Sequence, residues 1–292
     1  MLHYEQPLTR KDTSRFDWFH GSRRKYARVE LQLASGHLQN FFDSDDQVAP
    51  FESDVDVVAE DNVMFSLRQW TSSRHSKVLA LGGPQTTAFP TPVALISACY
   101  ACFAHQAKLP IISHFCTLPS DARDGLTLFE QGLLALAYSL IRQLIDCLPP
   151  VVNSDVVCHL NSERFRLLDG TLNCWKEVLS LIDQLLHQAP PLLICVIDGL
   201  DVIQDASTDA YIRSLVRVLL THTRHEPVAM PGGKHGQQVL LKVLFTVAGR
   251  PSSLVETLAE NQLVVSESNR VDPTALTDAA LISDAGAVVM NA

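Results

Sequence analysis

Short apolar runs alternate with amphipathic stretches along the middle of the chain. Five runs have the character of buried strands: Lys77–Gly82, Ile111–Thr117, Leu192–Ile197, Val239–Val247 and Gln262–Ser266. Six other segments read as helices: Val63–Thr71, Pro92–Ala107, Leu126–Leu148, Thr171–Gln188, Thr208–Thr221 and Ser252–Glu260. Strands separated by helices pair in parallel through right-handed crossovers. The sequence therefore predicts an α/β fold, a three-layer sandwich with a five-stranded, mostly parallel sheet and helices on both faces.

The two ends of the chain lack this alternation. We predict an N-terminal arm and acidic linker over residues 1–61, a folded domain over 62–270 and a C-terminal tail over 271–292. Residues 41–61 carry eight acidic side chains and no basic one. Such a charge run is typical of a solvated linker; the alternative is an acidic docking strip for a partner.

Composition narrows the class of protein. Hydrophobic residues make up 47% of the chain, which is enough for a packed core and excludes wholesale disorder. A net charge of −9 argues against a general nucleic-acid binder, which needs a basic face. The longest uncharged apolar run, Val93–Ala104, is shorter than the ~20 residues that span a bilayer. We therefore predict no nucleic-acid partner and no membrane partner.

The N-terminus and the cysteines indicate the compartment. The first thirty residues are polar and mixed in charge, so we expect no secretory signal. The seven cysteines are an odd number in a long chain, which fits reduced thiols in the cytosol. The predicted location is cytoplasmic.

Two strand ends carry candidate chemistry, because ligands of such sheets bind at the carboxyl ends of the strands. The segment Gly82-Gly83-Pro84-Gln85-Thr86-Thr87 follows one strand and precedes a helix, the position of a phosphate-binding loop. Asp198 follows the apolar run Leu192–Ile197, as does the Mg²⁺-holding carboxylate of P-loop NTPases. A capping role for Asp198 in the next turn is the alternative.

Four segments, in order, resemble the nucleotide-binding domain of STAND-type NTPases, in particular the NACHT and nephrocystin-like domains common in filamentous fungi. They resemble the strand before the Walker A glycines, the second strand, the Walker B "DGLDE" and the sensor strand: Lys77–Pro84, Ile111–Cys116, Asp198–Asp201 and Lys242–Pro251. The resemblance covers roughly residues 62–270 and implies a P-loop NTPase-like sandwich. It also implies a site for ATP or GTP with Mg²⁺, with Asp198 as the metal ligand. The residues that it assigns to the nucleotide are Gly82, Gly83, Thr86, Thr87, Asp198, Asp201 and Arg250.

The glycine segment departs from a working Walker A loop. That loop needs G-x-x-x-x-G-K-[ST], whose lysine neutralises the β- and γ-phosphates. Counting from Gly82 places Thr87-Ala88-Phe89 at the last three positions, and counting from Gly83 places Ala88-Phe89-Pro90 there. Neither register supplies a lysine. Since phosphoryl transfer depends on electrostatic stabilisation, we expect hydrolysis to be lost.

Two further departures lie at the other motifs. Val202 stands where the family has an acid that positions the attacking water, and Ala248-Gly249 replaces Thr-Ser before Arg250. We therefore predict no catalytic residue, no resident cofactor and a catalytically degenerate module that acts in regulation or protein interaction. Its partner would be another protein or a second copy of the chain. The family's sensor repeats would begin about where the sequence ends, so a solitary module, a truncated product and a fragment are all open.

Two other function classes remain as alternatives. One is a nucleotide-gated switch or weak ATP- or GTP-binding NTPase that uses a cation supplied from elsewhere. The other is an unrelated α/β enzyme, whose sign would be a deep polar pocket away from Gly83 and Asp198.

Overall fold

The computed structural model describes residues 24–44, 57–84, 91–123, 125–154, 160–224, 239–259, 262–265 and 288–290. The predicted α/β class is confirmed, because five strands form one all-parallel sheet with helices on both faces. The strands are β1 (Arg24–Ala27), β2 (Val57–Ala59), β3 (Lys77–Gly83), β4 (Ile111–Phe115), β5 (Val151–Ser154), β6 (Leu192–Asp198), β7 (Leu240–Ala248), β8 (Leu263–Val265) and β9 (Val288–Met290).

Helices connect these strands and flank the sheet. They are α1 (Arg28–Ala34), α2 (Asp61–Ser72), α3 (Pro92–Gln106), α4 (Leu128–Cys147), α5 (Ser162–Arg166), α6 (Trp175–His187), α7 (Asp209–Arg224) and α8 (Ser252–Val255). Short 3₁₀ turns span Gly36–Phe41 and Leu172–Cys174. Local signals set several helix starts: Thr127 caps α4 with Glu130 in a capping box, and Pro92 opens α3 behind the cap Thr91.

The order of strands in the main sheet is β4-β6-β7-β3-β8. β3 and β6 are therefore both neighbours of β7, although they are far apart in the sequence. The register pairs Asp198 with Thr246 across β6 and β7, and Gly83 with Ala248 across β3 and β7. The end of the glycine-containing strand and the aspartate thus lie at the same carboxyl edge, one strand apart.

Side-chain alternation along the strands builds two separate cores. Val78 and Ala80 join α4, α6 and α7 in the larger core, whereas Leu79 and Leu81 join α2 and α3 in the smaller one. The period of two puts Asp198 on the face of Ile194 and Val196, which is the α3 face. The same count along β7 puts Thr246 on that face.

Part of the segment that the sequence assigned to an N-terminal arm packs on the domain. β1 pairs antiparallel with β5, and Leu31 and Leu38 are buried in the larger core. Arg142 on α4 fastens this segment, since its guanidinium donates to the carbonyl of Gln32 at 2.8 Å and to the hydroxyl of Ser35 at 2.7 Å. β2 likewise pairs with β9, which joins the end of the predicted linker to the predicted tail. Residues 45–56 of the acidic linker lie outside the described residues.

A side chain covers the edge of β4 that has no neighbouring strand in the main sheet. The amide of Gln143 on α4 accepts the Ser113 N–H at 2.9 Å and donates to the Ser113 carbonyl at 2.7 Å. These are the backbone groups that a further strand would use. The glutamine therefore satisfies them internally and opposes edge-to-edge pairing.

Two observations concern membranes and thiols. Among the helices of the described ranges, none is both long and apolar enough to cross a bilayer. The six cysteines within those ranges are all free thiols.

Candidate functional site

The candidate site lies at the carboxyl edge of the sheet, where β3 and β7 end side by side. The chain leaves β3 through α3 on one face and leaves β7 through α8, whose Leu254 packs in the core of the other face. Connections that diverge from neighbouring strands leave a crevice at that edge, which is where ligands bind in open α/β sheets.

Asp198 is held by two hydroxyls on the α3 face of this edge. The residue is 8% exposed, and its Oδ1 accepts hydrogen bonds from Thr246 Oγ1 and, at 3.2 Å, from Ser97 Oγ. Burial, with a smaller contribution from the neighbouring Asp201, raises the pKa of Asp198 from 3.8 to about 6, against the lowering effect of the two hydroxyl donors. One carboxylate oxygen is therefore already occupied by the protein's own donors.

Asp201 ties the turn after β6 to the end of β7. Its Oδ1 accepts a hydrogen bond from the N–H of Ala248 at 3.0 Å. Burial raises the pKa of this carboxyl, although the hydrogen bond from Ala248 acts to lower it. The turn needs Gly199, which has φ +70° and donates its N–H to the Thr246 carbonyl at 2.8 Å. Asp201 thus has a structural partner in the folded chain. Val202, which follows Asp201 and is 39% exposed, has no carboxylate that could orient a water molecule.

Gly82 and Gly83 belong to strand β3 itself and are buried. A Cβ on Gly82 would lie 2.6 Å from the carbonyl oxygen of Gly249, and one on Gly83 would lie 2.8 Å from a methyl of Val93. In addition, the Gly249 N–H donates to the Gly83 carbonyl at 2.7 Å. Close packing of β7 and α3 against β3 is therefore a sufficient reason for glycine at both positions. Thr86 and Thr87 lie outside the described residues.

Arg250 is exposed two residues beyond β7 and faces a cavity of about 370 Å³. The other lining residues come from α8, the segment after it and β8: Val255, Leu258, Ala259, Leu263 and Val265. Neither Asp198 nor Asp201 lines this cavity. Within the described ranges, Arg250 forms no hydrogen bond or ion pair, so its charge is available to a ligand.

The lysines of β3 and β7 form hydrogen bonds at the end of the sheet opposite to the candidate site. Lys77 begins β3 and donates to Gln69 Oε1 at 3.1 Å. Lys242, paired with Lys77 in the register, donates to the carbonyls of Trp70 at 2.8 Å and Ser73 at 2.6 Å. Burial, together with the charge of Lys77, lowers the pKa of Lys242 to about 8. Lys77 and Gly83 are six positions apart along β3, a distance of about 20 Å at 3.3 Å per residue.

The sequence alone did not indicate Ser97 and Thr246 as partners of Asp198. Thr246 is one of two polar residues in the mostly apolar strand β7, which is a usable signal, but only the register shows that it faces Asp198. Ser97 is a small residue among apolar ones on α3 and carries no such signal. Compared with known proteins, the chain matches no protein-family model, and no curated protein is significantly similar to it.

Proposed function

We propose that the chain is a catalytically degenerate nucleotide-binding-fold module of the STAND/NACHT type, which acts in regulation or protein interaction and not in NTP hydrolysis. The observation that carries this proposal is the arrangement of charged groups and hydrogen bonds at the carboxyl edge of the sheet. Asp198 and Asp201 both accept hydrogen bonds from the protein there, and no lysine or arginine stands between Lys77 and Lys108 in the sequence.

Electrostatics explains why this edge is poorly suited to a triphosphate. A cation about 20 Å away, such as Lys77, contributes only about 0.2 kcal/mol per unit charge through water, before screening by salt. To hold Mg²⁺, Asp198 must carry its charge in a buried setting, which is the cause of its raised pKa of about 6. A ligand with several negative charges therefore meets two acids and, in the segment after β3, no lysine or arginine that could compensate them. A cytoplasmic setting, with reduced thiols, is part of the same proposal.

A second candidate, a nucleotide-gated switch, rests on Arg250. This exposed residue lies two positions after β7, where the STAND family has its sensor arginine. The described residues form no hydrogen bond or ion pair with its guanidinium. In this alternative Arg250 contacts phosphate and binding replaces the internal hydrogen bonds of Asp198.

Calorimetric titration of the full chain with Mg-ATP and with Mg-GTP separates the two candidates. The degenerate module is expected to show no binding in the micromolar range and no phosphate release above buffer. Micromolar binding that Asp198→Ala or Arg250→Ala abolishes, and that the exposed control Arg68→Ala leaves intact, would reject it in favour of the switch.

Sedimentation of the same protein tests the interaction role. Self-association that depends on concentration and is insensitive to nucleotide would support a module that acts through contacts between copies. The double change Phe89→Lys with Pro90→Ser restores the missing lysine and hydroxyl. If this variant gains Mg-ATP binding, the remainder of the pocket has kept its ancestral shape.

A further inference from the structure

A cluster of two histidines and one aspartate joins α6 to α7. Asp183 and His187 lie one turn apart on α6, and His222 lies in the last turn of α7. His222 Nε2 is 2.8 Å from Asp183 Oδ1, and His187 Nδ1 is 4.0 Å from Asp183 Oδ2. The two imidazole rings meet edge to face, with centroids 4.5 Å apart. One ligand atom from each of the three residues lies within 4.8 Å of the others.

These separations are close to those of a zinc site. Zinc binds imidazole nitrogen and carboxylate oxygen at about 2.0–2.2 Å, so ligand atoms in a tetrahedral site lie roughly 3.4 Å apart. Around an ion, the contact of 2.8 Å would open slightly, and ligand atoms that lie up to 4.8 Å apart would close. Changes in side-chain torsion angles accomplish both, because the helix backbones already place the three residues together.

The exposure of the three side chains fits a site with an open position. The His222 side chain is 11% exposed, whereas those of Asp183 and His187 are 42% and 56% exposed. An ion there would have protein ligands on the α6–α7 side and water on the other. Three protein ligands with a coordinated water are typical of accessible zinc sites.

The position of His187 allows binding through either ring nitrogen. Its Nδ1 lies 2.8 Å from the backbone carbonyl oxygen of Asp183. Binding through Nε2 would keep that contact as a support for the ligand, and binding through Nδ1 would replace it. We propose that Asp183, His187 and His222 bind Zn²⁺, with water completing the coordination, and that the ion links α6 to α7.

The chemistry of the ligands selects the class of metal. Two imidazoles favour zinc and its transition-metal neighbours over Mg²⁺ and Ca²⁺, which prefer oxygen ligands. The site is also separate from the carboxyl edge. α6 ends just before β6 begins and α7 precedes β7, so the cluster lies toward the amino ends of these strands. The proposal therefore does not rest on the proposed function, and either can fail alone.

Zinc titration of the metal-free full chain, in a phosphine-reduced buffer without chelating thiols, tests the site. We expect one Zn²⁺ per chain, bound at micromolar concentration or tighter, and a rise in melting temperature that Mg²⁺ does not reproduce. His222→Ala and Asp183→Asn should each weaken zinc binding by about 100-fold or more. His75→Ala, at an exposed histidine on another part of the surface, should leave affinity and stoichiometry unchanged.

Cobalt substitution separates this site from zinc bound adventitiously by cysteines. Co²⁺ held by nitrogen and oxygen should show the visible bands of a four- or five-coordinate ion without thiolate-to-metal charge transfer, and His222→Ala should remove those bands. If His222→Ala fails to fold, His222→Gln preserves a polar group toward Asp183 and takes its place. Absence of stoichiometric zinc binding, binding that survives these variants, or a thiolate signature would each overturn the proposal.

Discussion

Replacing Asp198 by asparagine tests the environment of the candidate site most directly. The amide has nearly the same shape and keeps an oxygen for the hydroxyls of Ser97 and Thr246, but it carries no charge at any pH. In the folded chain, burial raises the pKa of Asp198 from 3.8 to about 6. At neutral pH the wild-type carboxyl is therefore ionised at a desolvation cost in the folded state, and the variant has no such cost.

The magnitude follows from the shifted pKa. A tenfold change in an ionisation constant is worth about 1.4 kcal/mol, so ionising the folded group costs about 3 kcal/mol more than ionising the unfolded one. The raised pKa means that the folded state binds the proton more tightly than the unfolded state. The resulting stabilisation of the wild type is fully present below about pH 3.8 and is lost as the pH rises through about 6.

The assay is urea unfolding of the wild type and Asp198→Asn at several pH values. The free energy of unfolding of the variant, minus that of the wild type, should grow by about 2 kcal/mol between about pH 4.5 and pH 8. A constant offset from altered hydrogen bonding cancels in this comparison. The same experiment on Asp121→Asn, an exposed aspartate, provides the control for general charge effects.

Two outcomes would refute this reasoning. One is a difference that does not change with pH, and the other is a variant that loses stability, relative to the wild type, as the pH rises. Either would mean that the buried carboxylate is compensated by a positive charge, which would also remove the main support for a degenerate site. Adding Mg²⁺ should not change the wild-type value at pH 8, because the internal hydroxyls already occupy Oδ1 of Asp198.

Two further predictions concern the sheet. Gly82→Ala should lower the free energy of unfolding by about 1–3 kcal/mol, because its Cβ would lie 2.6 Å from a backbone oxygen, and urea unfolding measures this directly. Gly36→Ala is the matched control: a Cβ there meets nothing within 4 Å, so equal losses at both positions would contradict the packing explanation. Gln143→Ala should cost about 1–3 kcal/mol and increase aggregation seen by light scattering, since it exposes the backbone groups of Ser113 at the sheet edge. An unchanged aggregation rate would show that the glutamine does not protect this edge.

Local patterns in the sequence predicted the elements of the main sheet well. The apolar runs gave β3, β4, β6, β7 and β8, because a buried strand needs consecutive apolar residues whatever its neighbours are. The proposed arm was the least accurate part. Its Leu31 and Leu38 are buried in the core that contains α4. Two leucines in a short segment form no clear periodic pattern, and the sequence does not show that their partners lie about a hundred residues further along the chain.

The sequence by itself determined the alternating α/β architecture, the aspartates at the end of β6 and in the turn after it, and the lack of a lysine or arginine between Lys77 and Lys108. Tertiary structure decided which strands are neighbours, and therefore that Thr246 faces Asp198 and that glycines 82 and 83 are needed for packing. It also decided that His222 meets the helix of Asp183. Hydrophobic periodicity reports on the few residues of one helix or strand. Strand order and helix pairing depend instead on how the side chains of many elements pack together in the two cores. Contacts across 48 residues, as for Asp198, or 39, as for Asp183, are therefore readable only from the fold.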